Sequence, residues 1–230
     1  MKKLPWEEIH ESLNTRGFAS LPGLVDPKTC DELISLYPEE PIYRKTVVME
    51  RHRFGLGEYK YFNYPLPVFI QELRATMYPY LAPIANQWMH VLNMETRYPE
   101  DHETFLATCH SQGQQQPTPL ILKYGKGGYN TLHQDLYGSV YFPLQLVLFL
   151  SDYGTAYEGG EFVITEQVPR SQSKARVIKP QKGDALLLAT SFRPVKGTRG
   201  YYRTNLRHGV SEVTSGNRYT MGIIFHDATN

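Results

Sequence analysis

The chain has 230 residues, 41% hydrophobic and 13% aromatic, with a formal net charge of +1. That is enough apolar material for a packed core, and it excludes disordered and fibrous classes. The opening MKKLPWEEIHESLN meets acids where a secretory leader needs an apolar run, and no stretch approaches eighteen apolar residues, so a cytoplasmic protein without a membrane span is expected. Cys30 and Cys109 lie too far apart, and are too few, for a disulfide framework or a structural zinc site.

In chain order, PWEEIHESLNTRG predicts a short amphipathic helix from Pro5 to Gly17, and GFASLPGLV a strand. Asp26 and Pro27 suit the N-cap and first position of a helix through Leu36. Residues 44–67 interleave basic and aromatic side chains. Pro67 to Leu92 is a third helical region, interrupted by Pro79 and Pro83, and SQGQQQPTP (111–119) is expected as an exposed loop. Short strands then follow at 119–124, 131–136, 144–151, 161–165, 176–179, 184–189 and 218–226, separated by GKGG, EGGE, QKGD and TSGN turns. Repeated short strands without intervening helices predict a sandwich or barrel. The expectation is a mainly β protein with N-terminal helices (α+β): one structural domain, with residues 1–118 a helical and lid region packed on a β core of 119–230.

Charge is unevenly spread. From Glu166 to Arg207 there are ten Lys/Arg (Arg170, Lys174, Arg176, Lys179, Lys182, Arg193, Lys196, Arg199, Arg203, Arg207) and two acids (Glu166, Asp184), a net +8 that leaves −7 for the rest. Such a belt suits a polyanionic partner, and equally a solvated strand edge.

YNTLHQDLYG (129–138) places His133 and Asp135 two apart, hence on one face of a strand. Alone, the pair fits a histidine hydrogen-bonded to an acid better than a metal site. LRHGVSEVTSGNRYT adds His208, Arg218 and Thr220. Two histidines and one carboxylate form the facial triad of non-heme iron(II) oxygenases, with positions open for a bidentate cosubstrate and dioxygen. An arginine fork beside a hydroxyl suits the far carboxylate of a chelating 2-oxo diacid.

In these residues the chain resembles the iron(II)/2-oxoglutarate-dependent dioxygenases. H-x-D (His133, Asp135), a distal His208 and R-x-T (Arg218, Thr220) stand in that family's order, supported by EGGEF (158–162), KGDALLL (182–188) and Tyr124 in LKYG. The resemblance covers about residues 119 to 227. It implies a double-stranded β-helix (jelly roll, cupin-like) with Fe(2+) held by His133, Asp135 and His208 and 2-oxoglutarate by Arg218, Thr220 and Tyr124. Dioxygen would then drive C–H hydroxylation with release of succinate and carbon dioxide.

For the substrate, the 44–67 segment offers Arg51, Arg53, Tyr59, Tyr61 and Phe62, and TRGYYRTNLRHG offers Tyr201 and Arg203, as a lid that grips phosphates and stacks a flipped base. The plainer alternative is a hairpin whose aromatics plug the core. The metal strand also resembles AlkB-type nucleic-acid demethylases, which implies oxidative demethylation of alkylated DNA or RNA. Those enzymes carry a second arginine where this chain has Ile224, and the ten-residue gap from His208 to Arg218 is nearer prolyl hydroxylases. A peptide-prolyl or small-molecule hydroxylase, and a non-catalytic jelly-roll binding module, are the competing expectations. His10, His52, His90, His102, His110 and His226 lack ligand spacing.

Overall fold

The computed structural model describes residues 4–229. Four α-helices, α1 (Trp6–Arg16), α2 (Pro27–Ser35), α3 (Val68–Val91) and α4 (His102–Ser111), flank a pair of antiparallel sheets. The larger sheet runs β1 (Phe18–Leu21), β11 (Ala185–Ala189), β7 (Leu144–Phe149), β15 (Arg218–Ile224), β5 (Leu120–Tyr124), β4 (Glu58–Phe62), β2 (Tyr43–Val48). The smaller runs β10 (Lys174–Ile178), β9 (Phe162–Gln167), β13 (Gly200–Val210), β6 (Tyr129–His133), β3 (Gly55–Leu56), with β12 (Phe192–Gly197) also paired to β13. β8 (Tyr157–Gly159) and β14 (Val213–Gly216) form a separate two-stranded ribbon. From β5 onward the chain passes back and forth between the two sheets, the winding of a double-stranded β-helix.

Local chemistry explains the elements. Asp26 caps α2 by accepting from the Thr29 N–H at 3.0 Å, with Pro27 at the first helical position. Gly17 ends α1 in the left-handed region (φ 77°) and returns its N–H to the Leu13 carbonyl. Strands β7 and β11 are buried at every residue, so they are continuous apolar runs at the centre of the larger sheet, and α1 packs on β1 and β11.

Three expectations are corrected. Helix α3 is continuous through Pro79 and Pro83. The two prolines sit four apart on its exposed face, where the carbonyls of Ala75 and Pro79 that lose their N–H partners face water, while eleven buried residues hold the other face. The 111–119 segment is exposed only at Ser111, Gln112, Gly113 and Gln115, and its remainder is tied into the fold. Gln114 is fully buried and donates to the carbonyls of Asp227 (2.6 Å) and Val140 (2.7 Å), and Gln116 bridges Ala228. Finally, β6 stops at His133, so Asp135 lies beyond the strand rather than on it. The N-terminal segment is also richer in strands than expected: β1, β2 and β4 belong to the same sheet as β5, and β3 to the smaller one.

Behind the larger sheet the buried Arg74 pairs with Asp227 at 3.0 Å, and Asp227 also accepts from Tyr64 (2.8 Å) and bonds His110 (2.9 Å). Nearby, burial and the Arg74 charge pull the imidazoles of His102 and His226 down to about 3. Both are therefore neutral in the folded state, whereas an unfolded histidine titrates near 6.5. Their contribution is fully present above that pH and is lost as pH falls toward 3, up to roughly 5 kcal/mol each. Urea midpoints are expected to decline steadily from pH 6.5 to pH 4. His102→Gln flattens part of that decline, and a flat wild-type profile contradicts the assignment.

Candidate active site

The sheets enclose a cavity of about 220 Å³ that opens beside β3 and β6. Strand pairing builds its floor: His208 of β13 stands opposite His133 of β6, and the loop after β6 turns Asp135 back toward both. The His208 Nε2 lies 3.2 Å from one Asp135 carboxylate oxygen and the His133 Nε2 lies 3.5 Å from the other, with the two rings 4.3 Å apart. One donor atom from each of the three residues falls within a mutual 4.8 Å. The shared strand face invoked from the sequence is therefore not what unites the pair; cross-strand register and a loop are.

Each donor is oriented by a neighbour. The His133 Nδ1 bonds the Thr131 carbonyl at 2.8 Å, which assigns its proton and leaves Nε2 free toward the cluster. Asp135 accepts from the Tyr137 hydroxyl on one oxygen and from the Gln145 amide on the other, both at 2.9 Å. Burial alone would raise the Asp135 carboxyl, but the adjacent His133, the hydrogen bond from His208 and that from Gln145 outweigh it and hold the group well below the usual carboxylate range. Desolvation, reinforced by His208, lowers His133. These shifts favour a neutral His133 beside a charged Asp135, the states that bind a metal cation.

Sequence reasoning missed Tyr137 and Gln145. Gln145 left a signal, as the only polar residue in LQLVLFL. Gln145→Leu is expected to weaken divalent-metal affinity about 10–100-fold, the usual cost of losing a partner that orients a ligand. Titration with Co(2+), followed by its visible spectrum, checks this; affinity equal to wild type contradicts it.

At the other end of the cavity Arg218 is 1% exposed. It pairs in register with Tyr124, and its guanidinium faces the rings of Tyr124, Phe149 and Tyr157 at 5.5–5.9 Å. Nη1 reaches the Thr220 hydroxyl at 3.4 Å, while Nε and Nη2 are buried without a hydrogen-bond partner. Two orphaned donors on a buried cation carry a desolvation cost that a planar carboxylate would repay. Asn130 donates to the Tyr124 hydroxyl at 3.3 Å, and burial pushes that phenol up to about 12, so it remains a hydrogen-bond donor. Gly160 of EGGEF makes the room: at φ 60°, a Cβ there would stand 2.9 Å from the Arg218 Cδ. KGDALLL is structural, since Lys182 ties Asp31 at 2.6 Å and Asp184 accepts from the N–H groups of Gly23 and Gln181.

Of the expected lid residues, Tyr59 and Tyr61 line the cavity from β4. Phe62 does not belong with them: it is fully buried against Tyr43, because alternation along β4 turns it into the core. Arg51 and Arg53 are exposed around the short turn Met49–His52, next to Phe54, which lines the mouth and is 46% exposed. Tyr201 and Arg203 are exposed on the β12–β13 hairpin and line none of this cavity. Ile224, in place of the second arginine, forms buried apolar wall.

A family model described as "Oxygenase, catalysing oxidative methylation of damaged DNA" matches residues 57–228. The chain belongs to this oxygenase family. Family, fold and donor set together make it a 2-oxoglutarate-dependent iron(II) dioxygenase. It is 46% identical over 167 residues, 73% of its length and 72% of theirs, to uncharacterized proteins from two strains of Mycobacterium tuberculosis. Its fold is similar to a Pseudomonas putida prolyl-4-hydroxylase (11% identity, TM-score 0.58, 94% of this chain and 96% of that one). A 2OG-Fe(II) oxygenase family oxidoreductase from Burkholderia pseudomallei is comparable (15% identity, TM-score 0.57, 100% and 95%). Among the described residues no helix is long and apolar enough to cross a membrane.

Proposed function

We propose that this dioxygenase removes alkyl groups oxidatively from nucleobases. The observation that carries the chemistry is one cavity with a three-donor cluster at one end and an unpartnered buried guanidinium at the other. The donors and the fork fit the two groups the family uses: His133, Asp135 and His208 would hold Fe(2+), and Arg218, Thr220 and Tyr124 would hold the far carboxylate of 2-oxoglutarate. Bound together, they supply an oxidant from dioxygen as the 2-oxo acid is cleaved to succinate and carbon dioxide.

The chain's own residues do the rest. Arg218 neutralises and aligns the cosubstrate in a dry pocket, where its attraction is little screened. Tyr137 and Gln145 keep the Asp135 carboxylate from rotating. Met49, Phe54, Tyr59 and Tyr61 form an apolar and aromatic wall toward the mouth, suited to a flat ring and to exclusion of water. Hydroxylation of an N-methyl carbon gives a hemiaminal that releases formaldehyde and leaves the base nitrogen bare.

The substrate reading is supported by the family's description and by seven cations of the 166–207 belt. Among the described residues these have no carboxylate within 4.0 Å, whereas Lys179, Lys182 and Arg193 are paired with acids. The test is succinate and formaldehyde release by the iron-loaded protein, challenged in parallel with N-methylated oligonucleotides and proline-rich peptides. Equimolar succinate and formaldehyde from the oligonucleotides is expected. Turnover coupled to the peptides alone would overturn the substrate.

A further inference from the structure

Strand β13 ends near the metal cluster and begins at an exposed hairpin, and its outward residues form a line. Thr204, Leu206 and His208 are buried on the inner face, so Arg203, Asn205 and Arg207 stand on the outer face, all exposed. Arg199 in the hairpin turn extends the series, giving cations at every fourth residue along the strand that delivers His208. At about 3.3 Å per residue, successive guanidinium anchors are roughly 13 Å apart. Register places Gln167 opposite Asn205 and Thr165 opposite Arg207 on β9.

Between them lies a second, polar groove of about 180 Å³, lined by Leu132, Gln134, Thr165, Gln167, Asn205 and Arg207. It adjoins the active-site cavity. Gln134 lines both, its amide fixed by donation to the carbonyls of Ser191 (2.8 Å) and Leu206 (2.9 Å). Leu132, 44% exposed, forms part of this groove one residue before His133. A groove that combines side-chain amides, an exposed leucine and a guanidinium matches base edges, a base face and a phosphate.

Resting on the nucleic-acid reading above, we infer that the outer face of β13 is a track for the strand that flanks the reacting base. Its phosphates meet Arg207, Arg203 and Arg199, and one neighbouring nucleotide sits in the Gln134–Asn205–Gln167 groove. An extended acidic peptide would match the cations as well, and competition by polyglutamate in the test distinguishes it.

The test is fluorescence anisotropy of a labelled single-stranded oligonucleotide across a salt series, with wild type, Arg207→Gln, Arg203→Gln/Arg207→Gln and Asn205→Ala. Each neutralised phosphate contributes about 0.7 to the slope of log affinity against log salt, so the double variant should lower that slope by about 1.4 and weaken binding at least about tenfold. Asn205→Ala should weaken binding without changing the slope. Retained 2-oxoglutarate binding shows that the variants are folded. Wild-type slope and affinity in the double variant, or equal competition by polyglutamate, would overturn the track while leaving the nucleic-acid reading standing. Failure of wild type to bind any oligonucleotide at low salt would remove both.

Discussion

Arg218→Met is expected to weaken cosubstrate binding at least about 100-fold while leaving the protein as stable as before or more so. The guanidinium is buried, with Nε and Nη2 unpartnered. No protein group compensates those two donors, so an apolar side chain of similar length relieves about 1–3 kcal/mol of the cation's burial cost. The same exchange removes a bidentate, charge-assisted clamp on the diacid. Such clamps contribute about 3 kcal/mol or more in a water-excluded site, so 2-oxoglutarate affinity should fall by at least about 100-fold. Calorimetric titration of 2-oxoglutarate into the metal-loaded variant, with a urea melt of the same preparation, reads both quantities. Loss of stability with unchanged affinity would show that Arg218 is a structural cation and that the carboxylate end of the cavity is misassigned.

The second large effect is expected at Asp135. Asp135→Ala removes the one negative charge among the three donors and leaves Tyr137 and Gln145 with nothing to hold. Two imidazoles without the carboxylate lose one of three ligands and the charge that offsets the cation, so metal affinity should drop by about 100-fold or more and succinate formation by about 1000-fold. Gln145→Leu, which keeps the carboxylate but frees its orientation, should fall between this variant and wild type. That ordering separates a ligand from the residue that positions it. Turnover near the wild-type rate in Asp135→Ala would place the metal elsewhere.

Which parts of this could be read from the sequence follows from what constrains residue type. His133, Asp135, His208, Arg218 and Thr220 are visible because metal and carboxylate chemistry admit few side chains, and their order along the chain survives whatever the loops do. Asp135 reaches the two histidines from a loop rather than from the strand, which a period-two argument cannot see because it does not show where a strand stops. The prolines of α3 mislead because local propensity is overridden when the freed carbonyls face water and the opposite face is buried.

The charge belt is overstated in sequence for a different reason. Lys182 is neutralised by Asp31, 151 residues away, and Lys179 by Glu161, both acids outside the counted stretch, and pairing across the fold leaves no local trace. Phe62 and Tyr61 look alike in an aromatic run, yet only register decides which of them faces the cavity. The polar residues of 111–119 suggested solvent because the backbone that satisfies Gln114 lies at the far end of the chain.

Whether one cavity holds iron(II) and 2-oxoglutarate together is decided by adding both to the pure protein without oxygen and recording its visible spectrum. A chelated 2-oxo acid on a ferrous centre gives a weak charge-transfer absorption that saturates at one equivalent of each, and wild type should show it while Arg218→Met and Asp135→Ala do not. A flat spectrum from wild type, with metal and 2-oxoglutarate in excess, would mean that the cavity does not hold the two together.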